Sequence, residues 1–152
     1  MNGEHMQIGE VAARTELSLR TIRHYEETGL VTPSARSQGG FRLYTEIDVA
    51  RLMVIRRMKP LGFSLDRMRD LLAATDRLDA ADAPAGAEPG TGTPGTGTLD
   101  PEERQALLAR IRDYEDAAVE QIAKLRTQLA RAEDFAATLH ERLARATPAT
   151  RP

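Results

Sequence analysis

Ser18-Leu19-Arg20-Thr21-Ile22-Arg23-His24-Tyr25-Glu26, set between Ile8-Gly9-Glu10-Val11-Ala12 and Gly29-Leu30, is the stretch that decides how this chain folds. Ile8, Val11 and Ala12 are spaced for one face of a short helix that stops before Leu17. Ser18 is suited to cap a second helix, its oxygen accepting from the N–H groups of the next turn. Leu19, Ile22 and Tyr25 share the inner face of that helix, which leaves Ser18, Arg20, Thr21, Arg23 and His24 outward. Gly29 followed by the apolar Leu30 ends it. Two short helices joined by a tight turn, the second carrying outward arginines, describe a helix-turn-helix whose second helix fits a DNA major groove.

Downstream, Thr32-Pro33 breaks the helix, and Ser34 to Tyr44 reads as two short strands around Ser37-Gln38-Gly39-Gly40. Arg36 and Arg42 place cations on this ribbon, which makes it a wing beside the helix-turn-helix. Thr45-Glu46-Ile47-Asp48 resembles a capping box and opens another helix with Val49, Leu52 and Met53 on its face and Arg56 at its flank; Pro60 to Gly62 stops it. Arg56, Arg57 and Lys59 near that helix end fit phosphate clamps and fit equally the dipole preference for cations at a helix C-terminus. Phe63-Ser64-Leu65-Asp66-Arg67-Met68-Arg69 repeats the pattern of Leu17 to Arg23, so a second helical pair is expected, with Leu71 and Leu72 extending its apolar surface.

Composition changes at Asp76. Residues 76–99 are dominated by Ala, Asp, Gly, Pro and Thr, with Pro89-Gly90-Thr91-Gly92-Thr93 duplicated at once, and they predict a flexible linker. Asp100-Pro101-Glu102-Glu103 then starts a long helix over 100–146, with 147–152 as a disordered tail. Along it Leu108, Glu115, Ile122, Leu129, Ala136 and Leu143 recur every seven residues, interleaved with Ile111, Ala118, Leu125, Ala132 and Leu139. Ten of these eleven positions are apolar, a seam that a solvated single helix does not need. At 1.5 Å per residue the helix would extend roughly 70 Å, beyond what a head of this size covers, so a partner helix is expected.

Charge supports this division only weakly. Residues 1–75 carry 11 Lys and Arg against 9 Asp and Glu, and residues 76–152 carry 10 against 14, so placement rather than net charge must argue for nucleic acid. The absence of cysteine excludes disulfides, thiolate metal sites, iron–sulfur clusters and thiol redox sensing. His5, His24 and His140 stand apart and offer no ligand spacing. No apolar run reaches the length of a membrane span and no signal-peptide pattern opens the chain, so a cytoplasmic, nucleoid-associated protein is expected. No glycine-rich phosphate loop, nucleophile–base pair or metal cluster argues for an enzyme, and no cofactor is expected.

Ile8 to Ala12, Thr21-Ile22-Arg23-His24-Tyr25-Glu26-Glu27-Thr28-Gly29-Leu30-Val31, Gly40-Phe41-Arg42-Leu43-Tyr44 and Met58-Lys59-Pro60-Leu61-Gly62-Phe63-Ser64-Leu65 together resemble the MerR family of bacterial transcription regulators. The resemblance covers about residues 6 to 75 and extends to the long helix, which is similar to the family's antiparallel dimerisation helix. It implies a homodimer on an inverted-repeat promoter with an overlong spacer, bent and untwisted so that RNA polymerase engages. It also implies DNA contacts at Arg20, Arg23, Tyr25, Arg42 and Lys59, with Phe41 on the wing where many relatives carry Tyr.

The chain is thus expected to be mainly α, with a winged helix-turn-helix head over 6–75, a small β-hairpin wing and a C-terminal coiled-coil helix. DNA-facing candidates are Ser18, Arg20, Thr21, Arg23, His24, Tyr25, Arg36, Phe41, Arg42 and Lys59. Dimer-seam candidates are Leu108, Ile111, Ala118, Ile122, Leu125, Leu129, Ala132, Ala136, Leu139 and Leu143. So few residues follow the heptad helix that no large ligand-binding domain is expected. A small organic effector at the junction of head and coil, a protein partner, or no effector remain open. The rival functions are a coiled-coil interaction protein and an architectural protein that bends DNA with little promoter preference.

Overall fold

The structure, a computed structural model, describes residues 5–83 and 98–146. Its elements run β1 (Met6–Gln7), α1 (Ile8–Thr15), α2 (Leu19–Glu27), β2 (Ala35–Arg36), β3 (Arg42–Tyr44), α3 (Glu46–Met58), a 3-10 turn (Lys59–Leu61), α4 (Leu65–Asp82) and α5 (Pro101–Ala146). The chain divides after Tyr114 into two units.

In the first unit, α1 buries Val11 and Thr15, and the Thr15 hydroxyl donates to the Val11 carbonyl at 2.7 Å, so a polar side chain enters the core with its hydrogen bond made. Glu16 closes the helix at φ +55. Ser18 caps α2 by accepting from the Thr21 N–H at 3.0 Å. At its far end the Leu30 N–H donates to the Tyr25 carbonyl at 2.9 Å and the Gly29 N–H to that of Glu26 at 3.0 Å. This is a Schellman closure, which needs the positive φ of +75 that Gly29 supplies and which drives Leu30 into the core.

The sheet has three antiparallel strands in the order β1-β3-β2, with Met6 opposite Tyr44 and Arg36 opposite Arg42. The hairpin from Ser34 to Tyr44 forms where the sequence places it, Gly40 at φ +79 accommodating the turn and its N–H donating to the Ser37 carbonyl at 2.9 Å. Strand β1 is an addition: two residues before a helix carry no alternation to read, and pairing with β3 is a non-local choice.

Helix α3 packs against both α1 and β3. Its buried set is therefore wider than the single face read from the sequence: Ile55 and Met58 join Val49 and Leu52, while Met53 is only half-buried. The Thr45–Asp48 capping box is present. The buried Asp48 carboxylate accepts from the Thr45 N–H at 2.8 Å, the Thr45 hydroxyl at 3.2 Å and the Ser34 hydroxyl at 2.5 Å, fixing the strand-to-helix corner.

One expectation is corrected. Residues 76–82, assigned by composition to the linker, continue α4 to Asp82. Their Ala, Leu and Arg are good helix formers, and tertiary contact decides the outcome: Leu78, one turn beyond Ala74, is buried with Leu107 of α5 in a cluster flanked by Leu99 and Ile111. Residues 84–97 of the expected linker, and the tail from 147, lie outside the described residues. The rest of the α4–α5 contact is polar. Arg77 pairs with Glu103 at 3.0 Å, Arg104 with Asp82 and Arg110 with Asp70, while Tyr114 donates to Asp70 at 2.8 Å. In the second unit, residues 115–146 are helical and none is buried. No helix among the described residues is long and apolar enough to cross a membrane.

Replacing Asp48 with Ala leaves two hydroxyls and the Thr45 N–H at a buried corner without their shared acceptor. A loss of about 2 kcal/mol of stability is expected, read as a lower urea midpoint with an unchanged slope; an unchanged midpoint would contradict a stabilising role for Asp48.

Candidate nucleic-acid interface

Charges in the first unit are sorted by whether the fold supplies a carboxylate. Arg14 pairs with Glu46 at 2.5 Å, Arg42 with Glu26 at 2.5 Å, Arg51 with Asp76 at 2.8 Å, Arg69 with Asp66 at 2.9 Å, and Arg56 with Glu16. Between residues 5 and 75 the Lys and Arg side chains without a carboxylate partner among the described residues are Arg20 and Arg23 on α2, Arg36 on the wing, Arg57 and Lys59 at the end of α3, and Arg67. Arg67 instead lies 4.6 Å from the Phe63 ring centroid and 5.3 Å from that of Tyr114. Apart from Arg67, the cations left without acids are on the elements that the sequence marks for DNA.

Arg20, Thr21, His24 and Tyr25 of α2 line an open groove of about 460 Å³, opposite Lys59, Phe63, Ser64, Leu65 and Met68. Arg20, Arg23 and His24 are exposed, spaced three and four residues apart and so on one side of the helix. Ser18 and Thr21 hold each other through a 2.7 Å hydroxyl–hydroxyl bond at the helix start. Tyr25 is buried in the core and also lines the groove, and burial pushes its phenol up. Apart from Lys59, the residues of the opposite wall are not among the sequence candidates. Its signal was the Phe63–Met68 repeat of Leu17–Ile22, realised as a second Ser-capped helix start: the Ser64 hydroxyl accepts from the Arg67 N–H at 3.3 Å.

On the wing, Arg36 is exposed and donates to the Gly40 carbonyl at 3.3 Å. Phe41 is 66% exposed and its ring lies against Gly39, where a Cβ would come within 3.1 Å of it. Arg42 is placed differently from the other candidates. Its Nε donates to the largely buried Glu26 carboxylate, the same group that accepts the Tyr44 hydroxyl at 3.1 Å. That hydrogen bond and charge hold the Arg42 guanidinium above its ordinary pKa.

The seam candidates divide. Leu108, Ile122, Leu125, Leu129, Ala132, Ala136, Leu139 and Leu143 are exposed, and Ala118 is half-buried. Ile111 turns toward α4 and packs on the cluster of Ala74, Leu78 and Leu107, because that cluster covers the inner side of the first turns of α5. Among the described residues no group of three or more His, Asp or Glu side chains is arranged to hold a metal ion.

Residues 6–75 match the family described as MerR HTH family regulatory protein. They form a MerR HTH domain. Over 67 residues the chain is 48% identical to the transcriptional regulator ZntR of Escherichia coli K12, covering 44% of this chain and 48% of that one. The chain thus spans about half the length of that curated relative. Two solved structures share the fold: a MerR family transcriptional regulator from Bacillus cereus, with a TM-score of 0.57 and 20% identity over 98% of this chain and 87% of that one, and HiNmlR, a MerR family regulator lacking the sensor domain and solved on promoter DNA, with a TM-score of 0.57 and 20% identity over 93% and 85%.

Within the MerR domain, Tyr44 is fully buried, and burial, reinforced by the Glu26 carboxylate, pushes its phenol from 10.0 up to about 12. The folded state therefore favours the neutral phenol. This contribution is complete below pH 10 and is lost as pH rises through about 12. Tyr44→Phe should lose stability less steeply than the parent between those limits, measured by urea unfolding at stepped pH; parallel profiles would contradict the assignment.

Proposed function

We propose that this protein is a sequence-specific, DNA-binding transcriptional regulator that acts as a homodimer on an inverted-repeat promoter. The observation that carries the reading is the sorting of cations. Ion pairing occupies five of the ten arginines between residues 6 and 75, Arg67 lies against two aromatic rings, and the other cations without a carboxylate partner are on α2, the wing and the end of α3. In this reading α2 enters the major groove, with Arg20 and Arg23 reaching base edges and Ser18, Thr21 and His24 beside them. Arg36 and Phe41 on the wing and Lys59 opposite α2 engage the flanking backbone, which fixes register without reading sequence.

The exposed stripe of Ile122, Leu125, Leu129 and Leu139, at 39%, 37%, 59% and 45% exposure, supports pairing of the second unit with a second copy. Antiparallel pairing, bending and untwisting of an overlong spacer, and engagement of RNA polymerase follow from the MerR resemblance. HiNmlR, solved on promoter DNA, supports the same use of the fold. Catalysis has no part in this function.

Selection from a random pool of DNA duplexes, followed by binding at fixed salt, tests the reading. Arg23→Ala should keep the dimer and lose roughly 1–3 kcal/mol of discrimination at one base position per half-site. The double variant Leu125→Asp, Leu129→Asp should sediment as a monomer and bind the selected duplex far more weakly, because paired half-sites are no longer engaged together. Recovery of no preferred duplex by the parent would overturn the regulator reading, and an intact dimer in the double variant would overturn the seam.

A further inference from the structure

Glu26 sits on the recognition helix α2 with its side chain only 12% exposed, an unusual position for a carboxylate in a surface that is to meet phosphates. Both of its oxygens are used by the wing. Oε1 accepts from Arg42 Nε at 2.5 Å, and Oε2 accepts from the Tyr44 hydroxyl at 3.1 Å. Arg42 and Tyr44 are the two ends of β3, the central strand of the sheet, so one carboxylate ties the strand to α2 at two points. A bond to one oxygen would leave the wing free to pivot; bonds to both fix its angle as well as its distance. Arg36, opposite Arg42 on β2, makes no such bond and stays exposed.

We propose that Glu26, Arg42 and Tyr44 form a positioning bracket that sets the wing against the recognition helix, and that Arg42 acts on DNA binding through this bracket while Arg36 is the wing's phosphate-contacting cation. The proposal rests on the DNA-binding reading above and reassigns Arg42, which the family resemblance marks as a DNA contact. A bracket of this kind keeps both elements at one spacing before DNA arrives, so that phosphate contact by the wing and base contact by α2 occur together. A wing held only by its two-residue strand β2 and the turn would order on binding and lose affinity for that reason.

The two roles of Arg42 give opposite signs for one substitution. If Arg42 contacts phosphate, Glu26→Gln releases it and removes a negative charge beside the DNA, and binding tightens. If the bracket positions the wing, Glu26→Gln breaks the charge-assisted bond and binding weakens by about ten-fold. The full chain and its Glu26→Gln, Arg42→Ala and Arg36→Ala variants are to be measured on the duplex selected by the parent, across a salt series. The expected result is weaker binding by Glu26→Gln and by Arg42→Ala with the salt slope unchanged, and for Arg36→Ala a slope shallower by about 0.9 for each phosphate that is no longer neutralised. Tighter binding by Glu26→Gln, or a reduced slope for Arg42→Ala, would overturn the proposal. Amide exchange without DNA gives a second readout independent of the DNA-binding reading: the Ser37–Phe41 turn should exchange faster in Glu26→Gln and Arg42→Ala while the α3 core stays protected. Unchanged exchange at that turn would likewise overturn the bracket. A parent that selects no duplex, with the exchange result intact, would overturn the DNA-binding reading alone.

Discussion

The structure depends on a constraint of charge: Arg14, Arg42, Arg51 and Arg56 join elements of the first unit by pairing with carboxylates, while Arg20, Arg23, Arg36, Arg57 and Lys59 have no carboxylate partner among the described residues. Arg14 to Glu46 joins α1 to α3, Arg42 to Glu26 joins the wing to α2, and Arg51 to Asp76 joins α3 to α4. Exposed pairs of this kind contribute little stability individually, on the order of 0–1 kcal/mol. Their larger effect is on what remains, because an arginine already holding a carboxylate is a poor phosphate ligand. A net charge of −2 thus conceals a locally cationic surface.

Helix α4 links the surface to the rest of the first unit. Arg69 on α4 donates to the Thr28 carbonyl at 2.6 Å, at the C-terminal cap of α2, and Arg51, itself tied to Asp76 of α4, donates to the Leu30 carbonyl at 2.6 Å. These bonds hold the carbonyls of the C-cap Thr28 and of Leu30 just past it, so α2 is held at its exit by two guanidinium groups. On its other side α4 carries Asp70, gripped by Arg110 and Tyr114 of α5, and Phe63 just ahead of it meets Tyr114 edge-to-face with centroids 5.6 Å apart. Phe63 also walls the groove beside α2. The first turns of α5 are in this way joined to the groove beside α2 through one side chain and one helix.

Most of the head was legible because its signals are local. Ser18 and Ser64 as caps, Gly29 as a helix end, the Thr45–Asp48 box and the glycine turn of the wing each act within a few residues, and each is found where its pattern stands. What sequence missed is non-local. Strand β1 is made by pairing with β3, and the part of α4 beyond Asp76 packs Leu78 in a cluster with Leu107. The same holds for side-chain roles. Arg36 and Arg42 look equivalent on a ribbon, and only Glu26, sixteen residues before Arg42, separates them. Ile111 fits the heptad as well as Leu108, yet the cluster on α4 turns it inward.

Guanine methylation interference on the duplex that the unmodified chain selects from random DNA, at one stated salt concentration, reports major-groove contact by a dimer in a single experiment. A dimer reading the major groove gives two symmetry-related patches in which N7 methylation blocks binding, their centres a whole number of helical turns apart, each about 10–10.5 base pairs. Interference that is absent, or confined to one unrepeated patch, would contradict it.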